Sequence, residues 1–239
     1  MNRLADAFAT GETKRRYVRR LFGTIADRYD LITVLLSFGR DRAWKRRLIA
    51  LSGAGAGARV LDLACGTGDL AFDAAARGGR VVGLDFAPRM IELAARKPAA
   101  RGVAFLLGDM MALPVRDSCF DVVTTGYGLR NVPDLPCALL EIHRVLASGG
   151  TFCSLDFDRP EHPAVRAVYL AYLTTVGSAL GWVLHGDPDT YRYIPESIRR
   201  YPGARGVAGL MRAQGFVDVR TLPVFGGFMA IHVGRKPQD

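Results

Sequence analysis

The chain has 239 residues, 49% hydrophobic and 23% charged, which fits one large globular domain, or a domain with an added subdomain, and excludes disordered and fibrous classes. A formal net charge of +9 suggests an acidic partner, nucleic acid or an anionic membrane surface, unless an arginine-rich composition alone produces it. Four scattered cysteines without CxxC spacing indicate neither a zinc site nor a disulfide framework; they read as reduced thiols of a cytoplasmic protein, and no secretory signal is visible at the N-terminus.

Residues 1 to about 12 read as a frayed terminus. From Thr13 to Leu51 the spacing of Tyr17, Leu21, Ile25, Leu31, Val34 and Leu35 predicts helix, interrupted at Ser37-Phe38-Gly39 and resumed through Trp44 and Leu48. The expected organisation is a helical cap over 1–52, then a linker rich in Gly and Ala opening a second unit over 53–239. There strands and helices alternate: strands at Arg59–Leu63, Arg80–Leu84, Val103–Leu107, Phe120–Thr125 and Thr151–Phe157, with helices at Leu70–Arg77, Arg89–Arg96 and after Asp134. Apolar strands alternating with helices predict a parallel sheet covered on both sides. An insertion at about 159–203 breaks the alternation. Its Ala167–Leu184 stretch is uncharged and apolar, and reads as a helix over an apolar ligand rather than a membrane span. A helix at Gly206–Ala213 and a hairpin of Val217–Leu222 with Phe228–Gly234 complete the chain.

The most informative stretch is Val60-Leu61-Asp62-Leu63-Ala64-Cys65-Gly66-Thr67-Gly68-Asp69, a strand meeting a glycine turn and a helix start. Backbone N–H groups at such a turn approach a ligand closely. The third glycine of a dinucleotide fingerprint is missing, which suits a nucleoside without pyrophosphate. Asp85 ends the second strand, where a carboxylate accepts both ribose hydroxyls. Asp109 follows the third strand, where it can accept from an adenine amino group beside Met110. Asp62 either faces the ligand's ammonium or only ties backbone N–H groups; both readings stay open.

The order Asp62, Gly66-x-Gly68, Asp85, Asp109 resembles the class I S-adenosylmethionine-dependent methyltransferases, whose Rossmann-like seven-stranded sheet is mostly parallel and ends in an antiparallel hairpin. Further stretches, Tyr29 to Ser37, Tyr127 to Asp134, Arg144 to Gly150 and Tyr191 to Ile198, are similar to the ubiquinone/menaquinone biosynthesis C-methyltransferases over about residues 15–235. Ile32-Thr33, Asp41, Ala147-Ser148, Asp156 and Asp158 depart from that family's pattern, and of these Thr33, Asp156 and Asp158 are expected to bear on the acceptor.

The resemblance implies S-adenosyl-L-methionine as cofactor, no metal, and methyl transfer to the ring carbon of a prenylated hydroquinone, with demethylmenaquinol favoured over the ubiquinone precursor. It implies cofactor contacts from Asp62, Gly66, Thr67, Gly68, Asp85, Phe86, Met90, Asp109, Met110 and Thr125. Arg130 and Asn131 are the expected catalytic residues, the guanidinium favouring a phenolate rather than acting as a literal base. Tyr29, Tyr127, Tyr193, Tyr201 and His232 are the expected substrate residues; His143 reads as structural. The insertion's apolar helix would line a channel for the prenyl tail, and the basic N-terminal helices would rest on an anionic leaflet. A homodimer is left open. Alternatives are another small aromatic or polyketide acceptor, and a non-catalytic scaffold in a quinone-synthesis assembly. Nucleic acid is excluded as substrate, because no Asn/Asp-Pro-Pro-Tyr motif follows strand four to hold a flipped base.

Overall fold

Val60 to Leu63 is buried on both faces, as a strand between two helical layers must be. The computed structural model, which describes residues 3–238, extends this to one seven-stranded sheet in the order β3-β2-β1-β4-β5-β7-β6. Strands β1 (Arg59–Leu63), β2 (Arg80–Asp85), β3 (Val103–Leu107), β4 (Phe120–Gly126) and β5 (Leu146–Phe157) run parallel. β7 (Met229–Arg235) lies antiparallel between β5 and β6 (Val217–Val224). The expected class I sheet with its terminal hairpin is therefore present.

β5 begins earlier than expected. Leu146 pairs with Phe120 and Thr151 with Val122, so residues 147–150 bulge out where Ser148-Gly149-Gly150 reads as a helix stop. Asp134 caps α7 (Leu135–Val145) by accepting from the Cys137 N–H, as the sequence predicts.

Alternate strand residues feed two cores. Leu61, Leu63, Val123 and Phe152 pack with α7 and α10 (Gly203–Ala213) on one face. Val60, Val81, Val122 and Ile231 pack on the other with α4 (Asp41–Ser52) and α5 (Asp69–Ala76). Each fully buried Leu or Val contributes about 1.5–3 kcal/mol. Trp44, Leu48 and Ile49 of α4 belong to this second core, so the boundary expected at residue 52 does not separate two packed units.

The N-terminus also differs from expectation. Met1 and Asn2 lie outside the described residues, but α1 (Arg3–Ala7) and a capping box between Thr10 and Thr13 order the segment expected to fray. The Phe8 ring stacks on Tyr193 at 5.6 Å, and Ala7 is buried. Helices α2 (Gly11–Ile25) and α3 (Tyr29–Leu36) follow, and α6 (Pro88–Arg96) packs beneath α2. The insertion holds α8 (Pro163–His185) and α9 (Tyr193–Arg200), joined through Tyr169, Leu170, Leu173 and Ile198.

Candidate active site

Because β1 to β5 run parallel, the residues after β1, β2, β3 and β4 meet at one edge of the sheet, where strand order reverses between β1 and β4. The glycine turn sits there. Gly68 adopts φ +95°, and a Cβ on it would lie 2.5 Å from the Phe72 ring. Asp85 pins the turn, accepting from the N–H of Gly66 and of Ala87, each at 2.9 Å. Burial raises its pKa, against the pull of those N–H groups. Its remaining acceptor capacity suits a ribose diol.

Three cavities open around this edge. The first, about 670 Å³, is lined by Gly66, Asp85, Phe86, Met90, Asp109 and Met110, six of the ten expected cofactor residues. Arg15 and Val18 of α2 close its other side, and Arg15 Nε pairs with Asp109 at 2.9 Å. A smaller cavity, about 300 Å³, lies beside it and is lined by Asp62, Gly66, Thr67, Lys45 and Asp69. The remaining cavity, about 840 Å³, is mostly apolar, with Ile25, Ile32, Leu173 and Phe157 in its wall, and Arg130 is its one charged lining residue. Tyr29 and Tyr127 line all three. They stand where a cofactor's reactive end would meet an acceptor.

The small cavity suits an amino-acid zwitterion. Asp62 Oδ1 accepts from Thr124 Oγ1 at 2.8 Å, while its buried Oδ2 has no partner. Burial pushes Asp62 up to about pKa 7. An ammonium placed here would satisfy the orphaned oxygen. Across the cavity Lys45 Nζ is paired with Asp41 (2.6 Å) and Asp69 (2.9 Å). Burial disfavours its charge, but the two carboxylates outweigh that and raise its pKa. A cation and an unsatisfied carboxylate oxygen in one cavity match the carboxylate and ammonium of a methionine moiety. The residues present thus fit S-adenosylmethionine.

Tyr127 carries backbone strain at the junction. Its φ is +62°, and Ala64, across the cofactor cavity wall, has φ +49°. Tyr127 is held in that conformation from several sides. Its carbonyl accepts from Arg130 Nη1 (2.6 Å) and Asn131 Nδ2 (2.7 Å), its N–H donates to the Leu155 carbonyl (2.7 Å), and its hydroxyl donates to Asp41 (2.5 Å).

Arg130 is buried beside Asp156, whose carboxylate accepts from the Arg130 backbone N–H (3.1 Å) and from Nη1 (3.3 Å). Burial raises the Asp156 pKa, and Arg130 opposes that rise. The guanidinium lies 4.8 Å from the Phe157 ring centre, and its buried Nε has no partner. Lys14 Nζ donates to the carbonyls of Val132 (2.6 Å) and Arg130 (3.1 Å). Burial, then Arg130 and Arg200, lower Lys14 to about pKa 8.

Not every expected residue reaches a cavity. Arg130 lines the apolar chamber whereas Asn131 lines the cofactor cavity, so the expected catalytic pair does not share one space. Tyr193 lines the chamber; Tyr201 lies instead in the core on the α7 side. His232 bridges Ser154 Oγ (3.3 Å) and the Ala204 carbonyl (2.9 Å), tying α10 to the sheet away from all three cavities. Thr125 is buried beneath Gly128, and Gly68 shapes the turn without lining a cavity. His143 lies edge-on to Phe216, a packing position. Sequence reasoning missed Lys14, Arg15, Lys45 and Asp69. An acid and a lysine at i, i+4, Asp41 and Lys45, were the legible signal for one of them.

Residues 10–236 match the ubiE/COQ5 methyltransferase family. The chain is 46% identical over 221 residues to a demethylmenaquinone methyltransferase from Thermus thermophilus, covering 91% of this chain and 100% of that protein. A demethylmenaquinone methyltransferase from Roseiflexus sp. is 37% identical over 94% of this chain and 95% of its own length. Among solved structures, a SAM-dependent methyltransferase from Thermotoga maritima superposes with TM-score 0.67 at 21% identity, covering 92% of this chain and 99% of that one. Phosphoethanolamine N-methyltransferase 2 from Haemonchus contortus, in complex with S-adenosyl-L-methionine, gives 0.62 at 14%, covering 82% and 53%. These two likenesses concern the fold.

Proposed function

Since the chain belongs to the ubiE/COQ5 methyltransferase family and is an S-adenosylmethionine-dependent methyltransferase, we propose that it methylates a ring carbon of demethylmenaquinol in menaquinone biosynthesis. The observation that carries this reading is the 840 Å³ apolar chamber, with one buried guanidinium in its wall, meeting the cofactor cavities at Tyr29 and Tyr127. A prenylated ring needs apolar walls for its tail and one cationic group for its oxygen. Two relatives that cover nearly the whole chain carry the name demethylmenaquinone methyltransferase.

The bound cofactor supplies an electrophilic methyl on a sulfonium. The chain's own residues have to place the acceptor carbon about 3–3.5 Å from that methyl and keep water away. Arg130 stabilises the phenolate that makes the neighbouring ring carbon nucleophilic, and Asp156 holds the guanidinium in position. Tyr29 and Tyr127 form the collar between the two ligands. Asn131 acts from the cofactor side by fixing Tyr127. An acceptor with a prenyl tail resides in a bilayer, so the enzyme works as a peripheral protein at an anionic membrane face.

Incubation of the purified chain with S-adenosylmethionine and a short-chain demethylmenaquinol tests the proposal. The expected result is an acceptor in which a methyl group replaces the ring hydrogen, heavier by the mass of CH2, with S-adenosylhomocysteine and a proton released. Normal binding of S-adenosylhomocysteine with no methylated product would overturn it.

A further inference from the structure

We propose that the exposed faces of α3 and α8 form one membrane-docking surface, seated in the headgroup and upper acyl region of an anionic bilayer. This deepens the acceptor reading and rests on it for its purpose, but not for its test.

Most of the exposed large apolar side chains among the described residues fall on these two helices or the turn after α3, among them Leu31, Leu35, Phe38, Val168, Trp182 and Val183. The outward positions of α8, at 165, 168, 171, 175, 179 and 182, are all exposed and all uncharged. A helix facing water carries charge along that stripe. Only 28% of the helix's most apolar window is buried. Contiguous apolar surface of this kind marks a site of interaction.

The helix is long enough to cross a bilayer, but its inner side belongs to the domain. Tyr169, Leu170 and Leu173 pack with Ile198 of α9, and Gly181 sits so close to the following loop that a Cβ would lie 2.5 Å from the Asp187 carbonyl oxygen. A helix with one packed and one apolar exposed side lies in the interface plane rather than across it.

Charge selects the occupant. Arg28 precedes α3, Arg40 follows Phe38, and Arg166 lies in the first turn of α8; none has a salt-bridge partner among the described residues. Of the nearby acids, Asp27, Asp30, Glu161 and Asp189 are already paired with Arg89, Lys97, Arg205 and Arg192, which leaves Asp187 after α8 against the three arginines. A cationic rim around an apolar stripe complements anionic headgroups over acyl chains. A second copy would bring a like-charged rim against this one.

The surface also leads inward. A groove of about 950 Å³ between Phe38 and α8 shares Tyr169, Tyr172 and Phe225 with the acceptor chamber. The docking face and the chamber therefore share one aromatic wall.

The chain contains a built-in probe: of its two tryptophans, Trp44 is 8% exposed and Trp182 68%. Vesicles of phosphatidylcholine and phosphatidylglycerol in equal parts should shift the emission to the blue, and Trp182→Phe should remove that shift. The pair Leu35→Glu and Val183→Glu should lower flotation with these vesicles by at least about tenfold. Its melting temperature and S-adenosylhomocysteine affinity should match the parent's. Leu140→Glu, at an exposed apolar position on α7, should leave flotation unchanged. The proposal is overturned if vesicles cause no blue shift, if the Glu pair floats like the parent, or if the shift appears with rising protein concentration and no vesicles, which would identify a second copy as the occupant. Failure of the acceptor reading would look different: intact vesicle binding with no methylation of the short-chain quinol.

Discussion

Arg130 and Asn131 are neighbours that donate to the same carbonyl, that of Tyr127, at 2.6 and 2.7 Å, yet Arg130 lines the acceptor chamber and Asn131 the cofactor cavity. One strained residue is thus gripped by two side chains that line different cavities. The two should separate in kinetics. Arg130→Met should lower kcat by about 100- to 1000-fold, the cost of losing one oxyanion donor, with S-adenosylhomocysteine affinity near normal. Asn131→Ala should weaken S-adenosylhomocysteine binding instead. Removing Arg130 strands Asp156, at a cost of about 3–5 kcal/mol of stability. The double change Arg130→Met with Asp156→Leu should recover stability without turnover. Single-turnover rates and calorimetric melts check both halves.

Asp62 makes cofactor binding depend on pH. Its pKa rises from 3.8 to about 7 on folding, so the folded chain holds a proton that the unfolded chain sheds above about pH 4. Stability therefore falls as pH climbs through that window and levels off above about 7. An ammonium beside Oδ2 requires the ionised carboxylate, so S-adenosylhomocysteine affinity should rise by up to about tenfold per unit below pH 7 and then flatten. Calorimetric titration across this range measures it. An equally steep profile in Asp62→Asn would remove Asp62 as the source.

Lys45 should recognise only the amino-acid end of the cofactor. Lys45→Met is expected to weaken S-adenosylhomocysteine by about 10- to 100-fold, the worth of one hydrogen bond to a charged group. Binding of 5′-methylthioadenosine, which has no carboxylate, should be unchanged. Equal losses for both ligands would mean that Lys45 acts through the fold, by leaving Asp41 and Asp69 unpaired.

Phe8 should matter more than its place near the terminus suggests. Its ring stacks on Tyr193 and lies 4.5 Å from the Arg200 guanidinium. Phe8→Ala should lower stability by about 0.5–1.5 kcal/mol beyond the lost burial, read by chemical denaturation.

The sheet and the cofactor edge were legible because both follow from local chemistry. Apolar strands buried on two faces, a glycine turn and three acids at strand ends leave little choice of topology, and Asp62, Asp85 and Asp109 fall where the pattern puts them. The acceptor side was less legible because tertiary packing decides it. Within the basic run of α2, helical phase directs Lys14 onto the Arg130 and Val132 carbonyls and Arg15 onto Asp109, which the count of charges alone does not reveal. Lys45 is likewise buried within a stretch of arginines. His232 read as a substrate contact because nothing in a strand sequence reveals the helix carbonyl it meets.

The packing of Phe8 on Tyr193, a wall residue of the chamber, has a practical consequence for handling the protein. A purification tag fused ahead of α1 would sit within a few residues of a ring that backs the chamber wall. The opposite terminus is the safer attachment point: β7 starts beside Phe157 at the active edge and runs away from it to Arg235, beside Thr151.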